Sequence, residues 1–277
     1  MSTVVELLRR RGETQPADRA FLFLDDTGGP GTSISYSELD LAAQRVATAL
    51  VERGASGRSV LLLYPPGLDY IIGFLGCLYA AAIAVPAYPP DPGRWSRTLP
   101  RLRALAADCG ASVALSASTL VDFAPGLAGE APELAALDWV ATDALPRDAD
   151  TICPVSDDSP ALLQYTSGST GAPRGVLLSH ANLLHNAELV RTGFGTSPDS
   201  IGVSWLPPYH DMGLIGGILQ PLYGGFPIAL MSPLTFLQRP LAWLETIARL
   251  GATVSGGPNF AFDLCVRKTT PQQRAAL

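Results

Sequence analysis

The chain has 277 residues, 47% of them apolar and 16% charged, with a net charge of -6. That excludes an intrinsically disordered chain, which is poor in apolar residues and high in net charge, and it offers no basic face of the kind nucleic-acid binders carry. A chain this long buries roughly three quarters of its unfolded surface, so the core is ample for one large domain or two smaller ones.

Read from the N-terminus, Arg9-Arg10-Arg11 closes a short amphipathic helix. The plain reading is a solvated helix end with its cations near the negative end of the dipole. Residues 20–24 and 33–36 read as a strand pair around the Gly-Gly-Pro-Gly turn at 28–31. Ser37 can cap a helix running to about Arg53, with Leu39, Val46, Ala49 and Leu50 on one face. Residues 59–64 form a continuous apolar strand of the kind found inside parallel sheets. The uncharged stretch from Tyr70 to Val85 is short for a bilayer span, which needs about 20 residues. It reads instead as a buried helix running into a buried strand.

The proline-rich segment 87–94 predicts an extended connection. A helix over 97–108 and strands at 112–115 and 137–142 follow. Residues 145–160 hold prolines and aspartates and read as a loop between two subdomains, 1–150 and 151–277. Then come strand 161–165, a Ser/Thr/Gly loop, strand 176–179 and a helix from His180 to about Thr192. Strand 202–206, a glycine-rich helix from about Asp211, strand 227–231, helix 239–250, strand 252–255 and helix 259–268 complete the chain. This alternation predicts an α/β fold of layered, mostly parallel sheets with flanking helices.

Cys77, Cys109, Cys153 and Cys265 are widely spaced, with no CxxC. They predict reduced thiols in a cytoplasmic protein rather than a disulfide framework or a metal site. His180 and His185 lie five apart, poor spacing for one helix face, and no metal ligand set is assigned. The N-terminus shows no signal-peptide pattern.

The chemistry concentrates between Thr166 and Gly175, in Thr-Ser-Gly-Ser-Thr-Gly-Ala-Pro-Arg-Gly. Glycines let backbone N–H groups approach an anion. Thr166, Ser167, Ser169 and Thr170 add hydroxyl donors, and Arg174 adds a permanent cation. Such a loop after a buried strand suits a polyphosphate. It is neither a Walker A loop nor a Rossmann fingerprint, and with no GxSxG elbow a serine hydrolase is disfavoured.

With Tyr165 before it, this loop resembles the signature loop of the adenylate-forming enzymes: acyl-CoA synthetases, luciferases and peptide-synthetase adenylation domains. Segments 85–92, 204–217 (Ser-Trp-Leu-Pro-Pro-Tyr-His-Asp-Met-Gly-Leu-Ile-Gly-Gly) and 255–261 are similar to the fatty acyl-AMP ligase branch. The resemblance implies part of a large N-terminal adenylation domain. It implies ATP- and Mg2+-dependent activation of a fatty acid to an acyl adenylate, with pyrophosphate released. The acyl group would pass to the phosphopantetheine arm of an acyl carrier protein, in complex lipid or polyketide and lipopeptide biosynthesis. Within that resemblance, Thr166, Ser167, Gly168, Ser169, Thr170 and Gly171 would hold phosphates, with Arg174 where the family usually has lysine. His210 would contact the reacting carboxylate and phosphate, with Asp211 capping the next helix and orienting it. Gly216 and Gly217 would make room for an acyl chain, although small residues serve close helix packing equally well. Gly256, Gly257, Pro258 and Asn259 match the segment lining the acyl and adenylate pocket, while Phe260 and Phe262 read more simply as core.

The family's adenine-stacking motif and its C-terminal domain have no counterpart before Leu277, so little adenylation is expected from these residues alone. Two other readings stay open: a long-chain fatty acyl-CoA synthetase, and a non-catalytic module that binds nucleotide or a carrier protein.

Overall fold

The structure, a computed structural model, describes residues 2–90, 93, 95–146, 151–166 and 174–277. The N-terminal part contains helix α1 (Val4–Thr14), strands β1 (Arg19–Phe23) and β2 (Thr32–Ser35), helix α2 (Tyr36–Glu52), strand β3 (Ser59–Leu62), helix α3 (Leu68–Tyr79) and strand β4 (Ile83–Pro86). Next come helix α4 (Trp95–Cys109), strand β5 (Val113–Ser116), the single-turn helices α5 (Ser118–Val121) and α6 (Pro132–Ala135), and strands β6 (Asp138–Ala141), β7 (Pro160–Thr166) and β8 (Arg174–Ser179). Helix α7 (His180–Phe194), strand β9 (Gly202–Ser204), a π-helix (Met212–Leu219), helix α8 (Gln220–Gly224), strand β10 (Ile228–Leu230) and helices α9 (Pro233–Gln238) and α10 (Leu241–Leu250) follow. Strand β11 (Val254–Ser255) and helices α11 (Asn259–Lys268) and α12 (Pro271–Ala275) end the chain. The sequence reading did not foresee α9 or α12. Both are short, start with proline, and take their N-caps from Ser232 and Thr270.

The chain divides into two compact units, Met1–Arg9 with Leu39–Leu184, and Arg10–Glu38 with His185–Leu277. The first carries a six-stranded sheet in the order β6-β5-β3-β4-β7-β8. All neighbours are parallel except β7 and β8. A cut at residue 150 would part β7 from β4, with which it pairs. Val60, Leu61 and Leu62 are wholly buried, as expected for a strand covered on both faces. Against one side pack Leu99, Leu102 and Leu105 of α4, in a cluster with Leu61, Leu63 and Val85. Helix α3 is apolar around its whole circumference, with Tyr70, Phe74 and Cys77 at 0% exposure. At 12 residues it is a core helix. Among the described residues no helix is long and apolar enough to cross a membrane.

His180 opens α7 in full burial, and its Nδ1 accepts a hydrogen bond from the Val4 backbone N–H at 3.3 Å. Burial pushes its pKa down to about 4, against the opposing pull of the Glu6 carboxylate. The folded chain therefore holds the neutral ring, while the unfolded chain takes up a proton below about pH 6.5. Stability from this group is full above about pH 6.5 and falls as the pH drops toward 4, by about 3 kcal/mol in all. Urea unfolding at pH 7.5 and pH 5 should show this loss, and His180→Gln should flatten it. An equal slope in both proteins would remove His180 as the cause.

The second unit carries a five-stranded sheet, β11-β9-β10-β1-β2, parallel except for β1 and β2. Its core holds Trp205 stacked on Phe236 at 3.9 Å and edge-on to Trp243 at 6.2 Å. Phe260 and Phe262, read as core from sequence, touch this cluster but are about half exposed. Arg11 departs from the solvated helix end. Its guanidinium is half-buried and donates to the carbonyls of Leu222 and Tyr223 near the end of α8. The unpaired carbonyls of a helix end attract a cation, and a side chain from elsewhere in the unit supplies it here.

Candidate active site

In the first unit, Thr166 ends β7 and Arg174 begins β8. The two are paired across the antiparallel ladder, and the Thr166 hydroxyl donates to the Arg174 carbonyl at 3.4 Å. Both are exposed. The strand pair thus fixes the two feet of the loop and sets the Arg174 cation at one of them. Ser167, Gly168, Ser169, Thr170 and Gly171 lie outside the described residues. Strand β7 is anchored below the loop by buried Ala161 and Leu162, and by Tyr165, whose hydroxyl donates to Asp108.

In the second unit, β9 leads through Trp205, Leu206 and the Pro207-Pro208 turn to His210. The His210 N–H closes that turn on the Pro207 carbonyl at 3.1 Å. The His210 Nδ1 lies 2.5 Å from Asp211 Oδ1, and the same oxygen accepts the Met212 N–H at 2.7 Å. Asp211 therefore both caps the helix and orients the imidazole. With Nδ1 set against the Asp211 carboxylate, Nε2 is left for a ligand: it accepts in the neutral ring and donates in the cation. Both side chains are more than half exposed.

The expected helix after Asp211 is a π-helix over eight residues, in which the Gln220 N–H bonds the Ile215 carbonyl five residues back. Such coils are rare and recur at functional sites. Gly213 sits where a Cβ would be 1.9 Å from the Pro207 carbonyl oxygen, so a side chain is excluded there. Gly216 is the opposite case: a Cβ there meets nothing within 4 Å.

Gly216 also lines a cavity of about 380 Å³, within the range of small-molecule sites. Met212, Ile215 and Gly216 form its helical wall, and Val190 and Phe194 of α7 contribute another. The sheet supplies Val203, Ser204, Ile228, Val254 and Ser255, and Leu206 and Gly256 follow the ends of β9 and β11. Asp211 borders the cavity, and Thr196 and Gln220 complete it. Ser255 is locked in place, donating to the Val203 carbonyl at 2.6 Å and accepting from the Trp243 Nε1 at 2.9 Å.

Of the small residues expected around an acyl chain, Gly216 and Gly256 line the cavity. Gly217 packs toward Ser204 and Leu230, and Gly257 toward Trp205 and Ala261. Pro258 and Asn259 start α11. Ser204 and Ile215 stood in the quoted 204–217 segment without a role of their own, and the sequence reading passed over Thr196 and Gln220. Gln220 follows the glycines on the same helical stretch and is the one polar residue in a run from Gly213 to Leu222, a signal that could have singled it out.

Residues 8–277 match the AMP-binding enzyme family. The chain is 42% identical over its whole length to JamA of Moorena producens, a medium-chain-fatty-acid–[acyl-carrier-protein] ligase, and covers 47% of that protein. It is 40% identical over 97% of its length to FadD21 of Mycobacterium tuberculosis, named a putative fatty-acid–CoA ligase, and covers 48% of it. Among solved structures, a Legionella pneumophila fatty acyl-adenylate ligase in complex with acyl adenylate and pyrophosphate superposes with a TM-score of 0.90 at 37% identity. All of this chain and 48% of that one are covered. The chain spans about half the length of the curated relatives it matches.

Proposed function

Because the chain belongs to the AMP-binding enzyme family, with residues 8–277 matched, we propose that it supplies the phosphate loop and the acyl pocket for condensing ATP with a fatty acid into an acyl adenylate. The observation that carries this reading is the apolar cavity that starts beside the His210–Asp211 pair and runs along the π-helix. The Legionella protein's bound acyl adenylate and pyrophosphate support it.

In the proposed reaction a carboxylate oxygen attacks the α-phosphorus, and the bond to pyrophosphate breaks with its electron pair leaving on pyrophosphate. Charge develops on phosphate oxygens, so positioned donors and cations do most of the work. Thr166, Ser167, Gly168, Ser169, Thr170 and Gly171 offer hydroxyls and backbone N–H groups to the triphosphate, and Arg174 adds its guanidinium fork. His210 Nε2, held by Asp211, donates to the carboxylate or the α-phosphate in its cationic form. The alkyl chain lies along Gly216, with Gly217, Gly256, Gly257, Pro258 and Asn259 shaping the pocket walls. Mg2+ takes its ligands largely from nucleotide phosphates and water, and is proposed to arrive with ATP.

Fatty-acid-dependent ATP–pyrophosphate exchange tests the reading. Exchange with decanoate supports it. ATP and decanoate binding without exchange in the complete protein would favour a non-catalytic module instead. For the acceptor we favour an acyl carrier protein, as in the name of JamA at 42% identity. The name of FadD21 at 40% supports coenzyme A as the second reading. Competing the two acceptors for a preformed acyl adenylate decides between them.

Gly216 lines the cavity, and a Cβ there meets nothing within 4 Å. Gly216→Leu is therefore expected to leave ATP affinity unchanged and to weaken long straight-chain acids at least tenfold relative to hexanoate. Equal loss for short and long acids would remove Gly216 from the chain's path.

A further inference from the structure

The lining of the cavity is uneven in exposure. Asp211, Met212, Gly256, Gly216 and Phe194 are exposed, whereas Thr196 and Gln220, at 4% exposure each, are buried, as are Val203 and Ile228. Ligands of parallel sheets enter at the carboxyl ends of the strands, where Leu206 and Gly256 stand. Ile228 opens its strand, and Val203 is the middle residue of the three in its own. Thr196 and Gln220 thus make a buried polar floor in a cavity whose lining is mostly apolar.

Gln220 and Thr196 are hydrogen-bonded at 3.1 Å. With the amide turned so that donors face acceptors, its nitrogen donates to the Ala187 carbonyl at 3.0 Å. Its oxygen then accepts from the Thr196 hydroxyl at 3.1 Å and the Arg191 N–H at 3.3 Å. Gln220 is thus tied to α7 and to the loop after it. An apolar floor residue such as methionine can swing aside for a longer ligand. Gln220 cannot do so without leaving buried donors and acceptors unpaired.

We propose that Gln220, braced by Thr196, is the specificity-determining stop of the cavity: it sets the longest straight alkyl chain the site accepts. This rests on the cavity's being the acyl pocket. Eight helical steps separate Met212 from Gln220, at most about 12 Å along the axis at 1.5 Å each. With C–C bonds of about 1.5 Å in a zigzag, that length holds a chain of roughly ten carbons. The stop is satisfied within the protein, so it takes up an alkyl terminus without calling for a polar group on the ligand.

The test is displacement of bound cis-parinarate by straight-chain saturated carboxylates from hexanoate to hexadecanoate, in the native chain and in Gln220→Ala, Gln220→Met and Thr196→Val. The native protein should show a sharp cut-off, with affinity falling at least tenfold within two to four carbons beyond the optimum. Gln220→Ala and Gln220→Met should move the cut-off toward longer acids and raise the long-to-short affinity ratio at least tenfold. Thr196→Val should do so more weakly. A purely structural Gln220 would lower the melting temperature and weaken all acids alike, and an unmoved cut-off in both Gln220 variants overturns the proposal. If the native protein binds no carboxylate of any length, the acyl-pocket reading falls with it; if it binds them with the cut-off unmoved, only the stop falls.

Discussion

Replacing His210 by alanine is expected to lower fatty-acid-dependent ATP–pyrophosphate exchange by about 10²–10³-fold, the usual cost of removing one positioned donor to a developing oxyanion. The expectation follows from geometry. Nδ1 is committed to Asp211 at 2.5 Å, and Asp211 is itself fixed by the Met212 N–H. The ring is therefore oriented before any ligand arrives, with Nε2 directed away from its own support. More than half of the His210 side chain is exposed, so its removal should leave the melting temperature within a degree or two. The loss should be in turnover more than in ATP affinity, and His210→Asn should recover part of it by restoring a donor. Undiminished exchange in His210→Ala would end the assignment.

The largest stability effect is expected at Gly213. A methyl group there would stand 1.9 Å from the Pro207 oxygen and 2.6 Å from its carbon. Both atoms are backbone, so no rotamer change relieves the clash and the turn itself must move. Overpacking that side chains can absorb costs about 1–3 kcal/mol. With backbone displaced, Gly213→Ala should cost about 3 kcal/mol or more by urea unfolding. The displaced turn is also the one that presents His210, through the His210 N–H to Pro207 bond. Exchange activity should therefore fall even under conditions where the variant is folded. A cost under about 1 kcal/mol would mean that the turn is looser than its close contacts imply.

Much of this arrangement was legible in the sequence because it is written in local pattern. Apolar runs such as 59–64 gave the strands, and α11 begins and ends where its sequence suggested, at Asn259 and Lys268. The motif around His210 and the hydroxyl-rich loop resembled those of a known family, and the match over residues 8–277 agrees with that resemblance. What stayed hidden was non-local. Nothing near Arg11 in sequence indicates the carbonyls of Leu222 and Tyr223, more than two hundred residues away, that draw its guanidinium inward. Gly213 reads as one more glycine in a glycine-rich helix, and only the folded turn shows which of them tolerates no side chain. Gln220 looks like a polar interruption of an apolar stretch until α7 is seen to supply its partners.

The wide coil after Asp211 has one more consequence, which concerns angular phase. Asp211 and Gln220 are nine residues apart. At 3.6 residues per turn they would be separated by roughly two and a half turns and would point to opposite sides of the helix. Both border the same cavity. Bonding five residues back slows the rotation per residue, so the second turn closes near Gln220 and brings it round to the side of Asp211. The π-helix is thus what lets a single segment provide both the entrance and the floor of one elongated cavity.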